Sequence, residues 1–200
     1  MNNQAKQVVL PTRQEAENIL KEAETQNIGL WGNHSRNVAI CAEKIAVACD
    51  MDSNKAYILG LLHDIGRKFG VRHLGHIYDG YKFMLGLGYT QVAKICLTHS
   101  FCIQDIKTYI GKFDISEIEQ QELEAALNYV EYDDFDRLIQ LCDALGAAEG
   151  VVEIEKRMQD IKNRYGLYPE EKWNKNIELK KYFEHIANKN IYDIVGSFNI

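Results

Sequence analysis

The chain has 200 residues, 46% hydrophobic, 26% charged and 10% aromatic, with two prolines and a formal net charge of −6. That length suits one domain with a sizeable core, the residue variety excludes disordered, collagen-like and low-complexity chains, and no apolar run approaches the ~20 residues of a membrane span. The acidic balance disfavours a broad nucleic-acid footprint, which would need a basic face, while leaving room for a local pocket for one anionic small molecule.

Residues 1–7 hold no apolar stretch that would serve as a signal peptide, so a cytoplasmic protein with a single domain over residues 1–200 is the expectation. Cys41, Cys49, Cys96, Cys102 and Cys142 are odd in number and show no CxxC spacing, and all but Cys102 sit inside apolar helical patterns. They read as buried free thiols, neither zinc ligands nor disulfides.

The periodicity is helical almost throughout. Gln7-Val8-Val9-Leu10 is the single β-flavoured segment. Thr12 and Glu15 form a capping box opening a helix over residues 12–26, with Ala16, Ile19, Leu20 and Ala23 on its apolar stripe. A second helix is predicted over residues 33–49, where Val38, Cys41, Ala42, Ile45 and Ala48 recur at three and four. Ser53 is the expected cap of a third, apolar nearly all round from Ala56 to Leu62, which places it in the middle of the fold and ends it near Gly66.

A glycine-rich stretch over residues 66–75 carries Arg67, Lys68, Arg72 and His73. Helices are then predicted over residues 76–85, 90–99, 103–110 and 116–130, the last with Ser116 and Glu119 as a capping box. Residues 134–149 read as one more buried helix, with Phe135, Leu138, Ile139, Cys142 and Leu145 on one face. Residues 151–165 and 169–188 read as amphipathic outer helices, flanking a motif-bearing core over residues 31–149; Pro169 suits a first turn. The expected fold class is all-α, a compact multi-helix bundle.

Chemistry concentrates where His63 and Asp64 end the most apolar helix. A carboxylate at the inner end of a buried helix is costly unless something pairs with it, and a metal ion would offset that cost. His34 and His76 stand where helices open, His99 where one closes, and Asp143 interrupts Leu141-Cys142-Asp143-Ala144-Leu145. Taken singly, each has a bland reading as a hydrogen-bonded core residue. Together, five of the six histidines and two core-placed aspartates fall where they could face one cavity. Mixed nitrogen and oxygen donors suit a first-row divalent ion such as manganese, iron, cobalt or nickel.

His34, then His63-Asp64-Ile65-Gly66, then Asp143 resemble the H…HD…D signature of the HD superfamily of metal-dependent phosphohydrolases, in its HDIG form. The resemblance implies an all-helical fold with the metal among helix ends, held by His34, His63, Asp64 and Asp143. Members with two metals add two histidines, matched here by His76 and His99, so that Asp64 would bridge two ions. His73, three residues before His76, competes for that place. Gly80, four residues after His76, is similar to the branch that hydrolyses symmetrical dinucleoside tetraphosphates, although Ala144-Leu145-Gly146-Ala147 departs from that branch. Gly88-Tyr89-Thr90 lacks the proline of the cyclic-dinucleotide phosphodiesterases.

The implied activity is hydrolysis of a phosphate ester or anhydride of a nucleotide or dinucleotide by metal-activated water, with His63, Asp64 and Arg67 in the catalytic centre. Arg67, Lys68 and Arg72, and after them Arg36, are the expected phosphate contacts, arginine's fork suiting phosphate oxygens better than lysine's point charge. The resemblance leaves two other classes open: a nucleotide-binding regulatory module that keeps the metal cage, and a di-iron oxygenase. The outer helices could pack on the core or on a second copy in a homo-oligomer.

Overall fold

The computed structural model describes residues 10–196, so residues 7–9 of the β-flavoured segment lie outside the described residues. Among those described, ten α-helices run in succession with two 3-10 turns and one two-stranded hairpin, in agreement with the all-α expectation.

Helix α1 (Arg13–Gln26) opens on the Thr12–Glu15 capping box and buries Ala16, Leu20 and Ala23. Helices α2 (Trp31–Ala48) and α3 (Ser53–Leu62) form the central pair, and Ala56 through Leu62 of α3 are all buried. The cap of α3 is Asp52, which accepts from the Lys55 amide at 2.9 Å; Ser53 already lies inside the first turn. The pair closes tightly at Gly60, where a Cβ would stand 2.9 Å from the Ala39 Cα.

The glycine-rich stretch after α3 is partly ordered as a 3-10 helix, Ile65–Phe69. Gly66 packs against α4 (Leu74–Gly86) so closely that a Cβ would lie 1.9 Å from the His76 carbonyl oxygen and 2.6 Å from the Gly80 nitrogen. Both obstacles are backbone and cannot swing aside. Gly66→Ala is therefore expected to cost about 2 kcal/mol, read as a lower denaturation midpoint with an unchanged slope.

Helix α5 (Thr90–Thr98) follows, but the helix predicted over residues 103–110 shrinks to the 3-10 turn Ile106–Thr108. Asp105 accepts from the Lys107 amide at 2.8 Å, and the Thr108 hydroxyl donates to the Asp105 carbonyl at 2.7 Å. Such local side-chain bonds compete with helix continuation. Between α4, α5 and α6 (Glu117–Tyr129) lies a separate apolar cluster around Leu74, Leu97, Phe101 and Leu127.

Helix α7 (Asp134–Leu145) stops four residues short of its predicted end. Strands β1 (Gly146–Ala147) and β2 (Gly150–Val151) pair antiparallel there, Gly146 opposite Val151, with Gly150 at φ 145°, where a side chain would be strained. The hairpin turns the chain back so that α8 (Ile154–Tyr165) and α9 (Glu170–Ala187) pack on α7. A short helix that periodicity did not reveal, α10 (Ile191–Val195), buries Ile191 and Val195 and packs on α2. All five cysteines are buried and free of disulfides. No described helix is long and apolar enough to cross a membrane.

Candidate metal centre

Helix ends build the site. His34 lies in the first turn of α2 and His76 in the first turn of α4, while His63 and His99 terminate α3 and α5. Neighbouring residues of a helix point ~100° apart. His63 and Asp64 can nonetheless face one point because Asp64 has left the helical path, at φ −103°, ψ 15°.

Six side chains converge. His34 Nε2 stands 3.0 Å from Asp143 Oδ1 and 3.2 Å from His63 Nε2, and His63 Nε2 is 3.7 Å from Asp143 Oδ1. On the other side His76 Nε2 is 3.1 Å from Asp64 Oδ1 and 3.3 Å from His99 Nε2, which is itself 3.5 Å from that oxygen. His34, His63 and Asp64 offer donor atoms all within 4.8 Å of one another, and so do Asp64, His76 and His99. Two nitrogens bound about 2.1 Å from one ion cannot be more than about 4.2 Å apart, so each contact between imidazole nitrogens fits a shared ion.

Proton accounting gives the firmer test of fit. His63 Nδ1 donates to the Gly60 carbonyl at 2.7 Å, His99 Nδ1 to that of Cys96 at 2.9 Å, and His76 Nδ1 to that of His73. A carbonyl only accepts, so Nδ1 carries a proton in all three rings, and in a neutral ring Nε2 then presents a lone pair. The lone pairs of His76 and His99 thus face each other and Asp64 Oδ1. That oxygen is buried and has no hydrogen-bond partner despite its 3.1 Å approach to His76. Three inward lone pairs repel unless a cation lies among them, and the donor set suits a divalent first-row ion.

The charges tell the same story. Burial alone would push the Asp64 carboxyl up, but Arg67, His76 and His63 outweigh it and hold the group well below the carboxylate range. Asp143 is held well below it too, against its burial, by the His34 imidazole at 3.0 Å and the nearby His63 ring. Burial and then the Arg67 charge push His76 down to about 4, leaving it neutral at pH 7. For His63 burial opposes protonation, yet the charges of Asp64 and Asp143 prevail and shift the ring up.

All of the cluster but His63 lines a cavity of about 560 Å³, within the range of small-molecule sites. Arg67 lines it, and its Nε donates to Asp64 Oδ2. The other expected phosphate contacts do not line it. Arg36 clasps Glu24 through both terminal nitrogens, at 2.7 and 2.6 Å. Two residues beyond His34 on α2, it is rotated ~200° away from that imidazole. Lys68 places its ammonium 4.0 Å from the Phe83 ring centroid. Arg72 bonds Asp79 at 2.5 Å and the Asp114 carbonyl at 3.3 Å. The imidazole of His73 packs against the Tyr165 ring, and it is His76 that reaches Asp64.

Residues that sequence reasoning did not single out complete the surroundings. Gln140 donates to the Thr98 and Phe101 carbonyls at 3.0 and 3.2 Å, and Asp136 accepts from the Thr98 hydroxyl at 2.7 Å, so α7 steadies the end of α5 where His99 sits. Tyr109 lines the cavity, its phenol held up in the neutral form by burial. From α8 and α9 come Arg157, Arg164 and Lys172. Their only sequence signal was membership of amphipathic helices, where cations ordinarily face water.

The family model described as HD domain matches residues 31–148. No curated protein and no solved structure matches the chain.

Proposed function

Because the chain belongs to the HD-domain family, whose typical members are metal-dependent phosphohydrolases, we propose that it hydrolyses a phosphate ester or anhydride, of a nucleotide or dinucleotide, at one or two divalent cations. The observation that carries this reading is the pair of donor triplets sharing Asp64 beneath a cavity of about 560 Å³. His34, His63, Asp64 and Asp143 would hold one ion, and Asp64, His76 and His99 the other. When bound, such an ion supplies Lewis acidity toward phosphoryl oxygens and lowers the pKa of water.

The chain's own groups do the rest. The backbone carbonyls of Gly60, His73 and Cys96 fix the imidazole tautomers. Arg67 spends its Nε on Asp64, leaving its terminal nitrogens as the ones able to meet a phosphoryl oxygen from the cavity side. Tyr109, neutral at pH 7, offers a hydroxyl proton for a further substrate oxygen. The half-buried carboxylate of Asp143 closes the floor beside His34.

Protein purified without chelators should carry one or two equivalents of transition metal and release phosphate from members of a nucleotide panel with added manganese. Stripping the metal should lower Tm: an ion at 1,000 times its Kd stabilises by about 4 kcal/mol, or roughly 8–16 °C for a chain of this size. Metal-free protein that melts unchanged on adding manganese, iron, cobalt or nickel would refute the reading. A tight nucleotide complex without turnover would favour the regulatory module, and oxygen uptake by ferrous protein on adding substrate the oxygenase.

A further inference from the structure

Lys172 is in the first turn of α9, beyond the residues that the family model matches, and only 9% of it is exposed. Its Nζ donates to the Ser100 carbonyl at 2.8 Å and to the Thr108 carbonyl at 3.2 Å. Of the four lysine and arginine side chains lining the cavity, Arg67 pairs with Asp64, while Arg157 and Arg164 lie 3.8 and 2.9 Å from Asp160. Among the described residues no carboxylate comes within 4.0 Å of the Lys172 ammonium. A buried charge with dipoles but no counter-charge in ion-pair contact, Asp143 acting only from farther away, is costly, and an ammonium has three donors, of which two are used. A second unsatisfied donor lines the same cavity: Arg157 Nε is buried without a hydrogen-bond partner.

We propose that Lys172 and Arg157 form an anion subsite in the cavity wall that anchors a phosphate group of the substrate. The inference rests on the phosphohydrolase reading for the identity of the anion. The third ammonium donor and the free guanidinium N–H meet phosphate oxygens, and the anion supplies the counter-charge that the protein withholds. Substrate selection then lies with α8 and α9, and an uncharged analogue of the same shape binds weakly however well it fits. A lysine kept only to clamp the loop between Ser100 and Thr108 would use the same two carbonyl bonds but would have no effect on anions.

The test is calorimetric titration of the purified full-length protein with inorganic phosphate, together with thermal melts in phosphate-free and phosphate-containing buffer. Lys172→Met should weaken phosphate binding about tenfold or more, abolish the rise in Tm that phosphate gives the wild type, and leave the phosphate-free Tm level or higher. Wild-type phosphate affinity in this variant, with a lower Tm, would overturn the subsite in favour of the clamp. Should the variant not fold, Arg157→Gln, on a partly exposed side chain, takes its place. A loss of threefold or more supports the subsite, and an unchanged affinity refutes it. Metal content on the same preparations separates the two claims. Wild-type metal with Lys172-independent phosphate binding sinks the subsite alone; metal-free protein that binds phosphate through Lys172 sinks the metal reading alone.

Discussion

Asp64→Asn is expected to reduce phosphate release by about 10³-fold or more, the scale on which a group acting at the reacting centre is lost. Asp64 is the common member of both donor triplets, and Asn removes the charge that holds them together. The amide also places an N–H where the His76 or His99 lone pair points, replacing a shared cation by a weak internal hydrogen bond. Metal content should fall with activity, since even groups that merely orient ligands change metal affinity 10–100-fold. The fold should survive, because Arg67 can still donate to the amide oxygen. Elemental analysis and a nucleotide assay on one preparation check this; a variant retaining full metal and full turnover would contradict the assignment of Asp64.

Among substitutions in the protein's packed core, a large loss of stability is expected from Asp136→Ala. Its side chain is fully buried and accepts from Lys94 Nζ at 2.6 Å, the Thr98 hydroxyl at 2.7 Å and the Asp133 amide at 2.8 Å. Truncation strands the Thr98 hydroxyl and the Asp133 amide and leaves Lys94 only its 3.2 Å bond to Asp133, a cost of about 3 kcal/mol, or roughly 6–12 °C in Tm for a chain of this size. Asp136→Asn keeps an acceptor for Thr98 and should lose less than half as much. Thermal denaturation of the two variants side by side decides the point. A small effect for both would mean that the existing Lys94–Asp133 bond suffices for the ammonium and that Thr98 finds another acceptor.

Much of this architecture is legible in residue order because the signals are local. Capping boxes at Thr12 and Ser116 open the helices they should, and the all-round apolar run of α3 marks the centre. His34, His63, Asp64, His76, His99 and Asp143 do come together, each at a helix end or interrupting an apolar stripe, whereas His73 turns to Tyr165. What order conceals is set by tertiary packing. The hairpin at residues 146–151 hides inside a helical period, because Gly146 and Gly150 lack a side chain to break the pattern. Arg36 looked close to His34 in sequence but turns to Glu24, and Lys172 looked solvated but is buried under the Ser100 and Thr108 carbonyls. Position on a helix indicates which face a side chain takes; only the neighbours decide whether that face meets water.

The division of the cavity between floor and wall carries a consequence for how this chain can change. The proposed metal ligands and the proposed anion contacts come from different stretches of polypeptide, joined at the two-residue turn between β1 and β2. Such a seam permits change on one side at a time: substitutions on the cavity face of α8 and α9 are expected to retune what is admitted, provided the apolar residues packing those helices on α7 are kept. New preferences are therefore expected from drift at Arg157, Arg164 and Lys172 while the six candidate ligands stay unchanged.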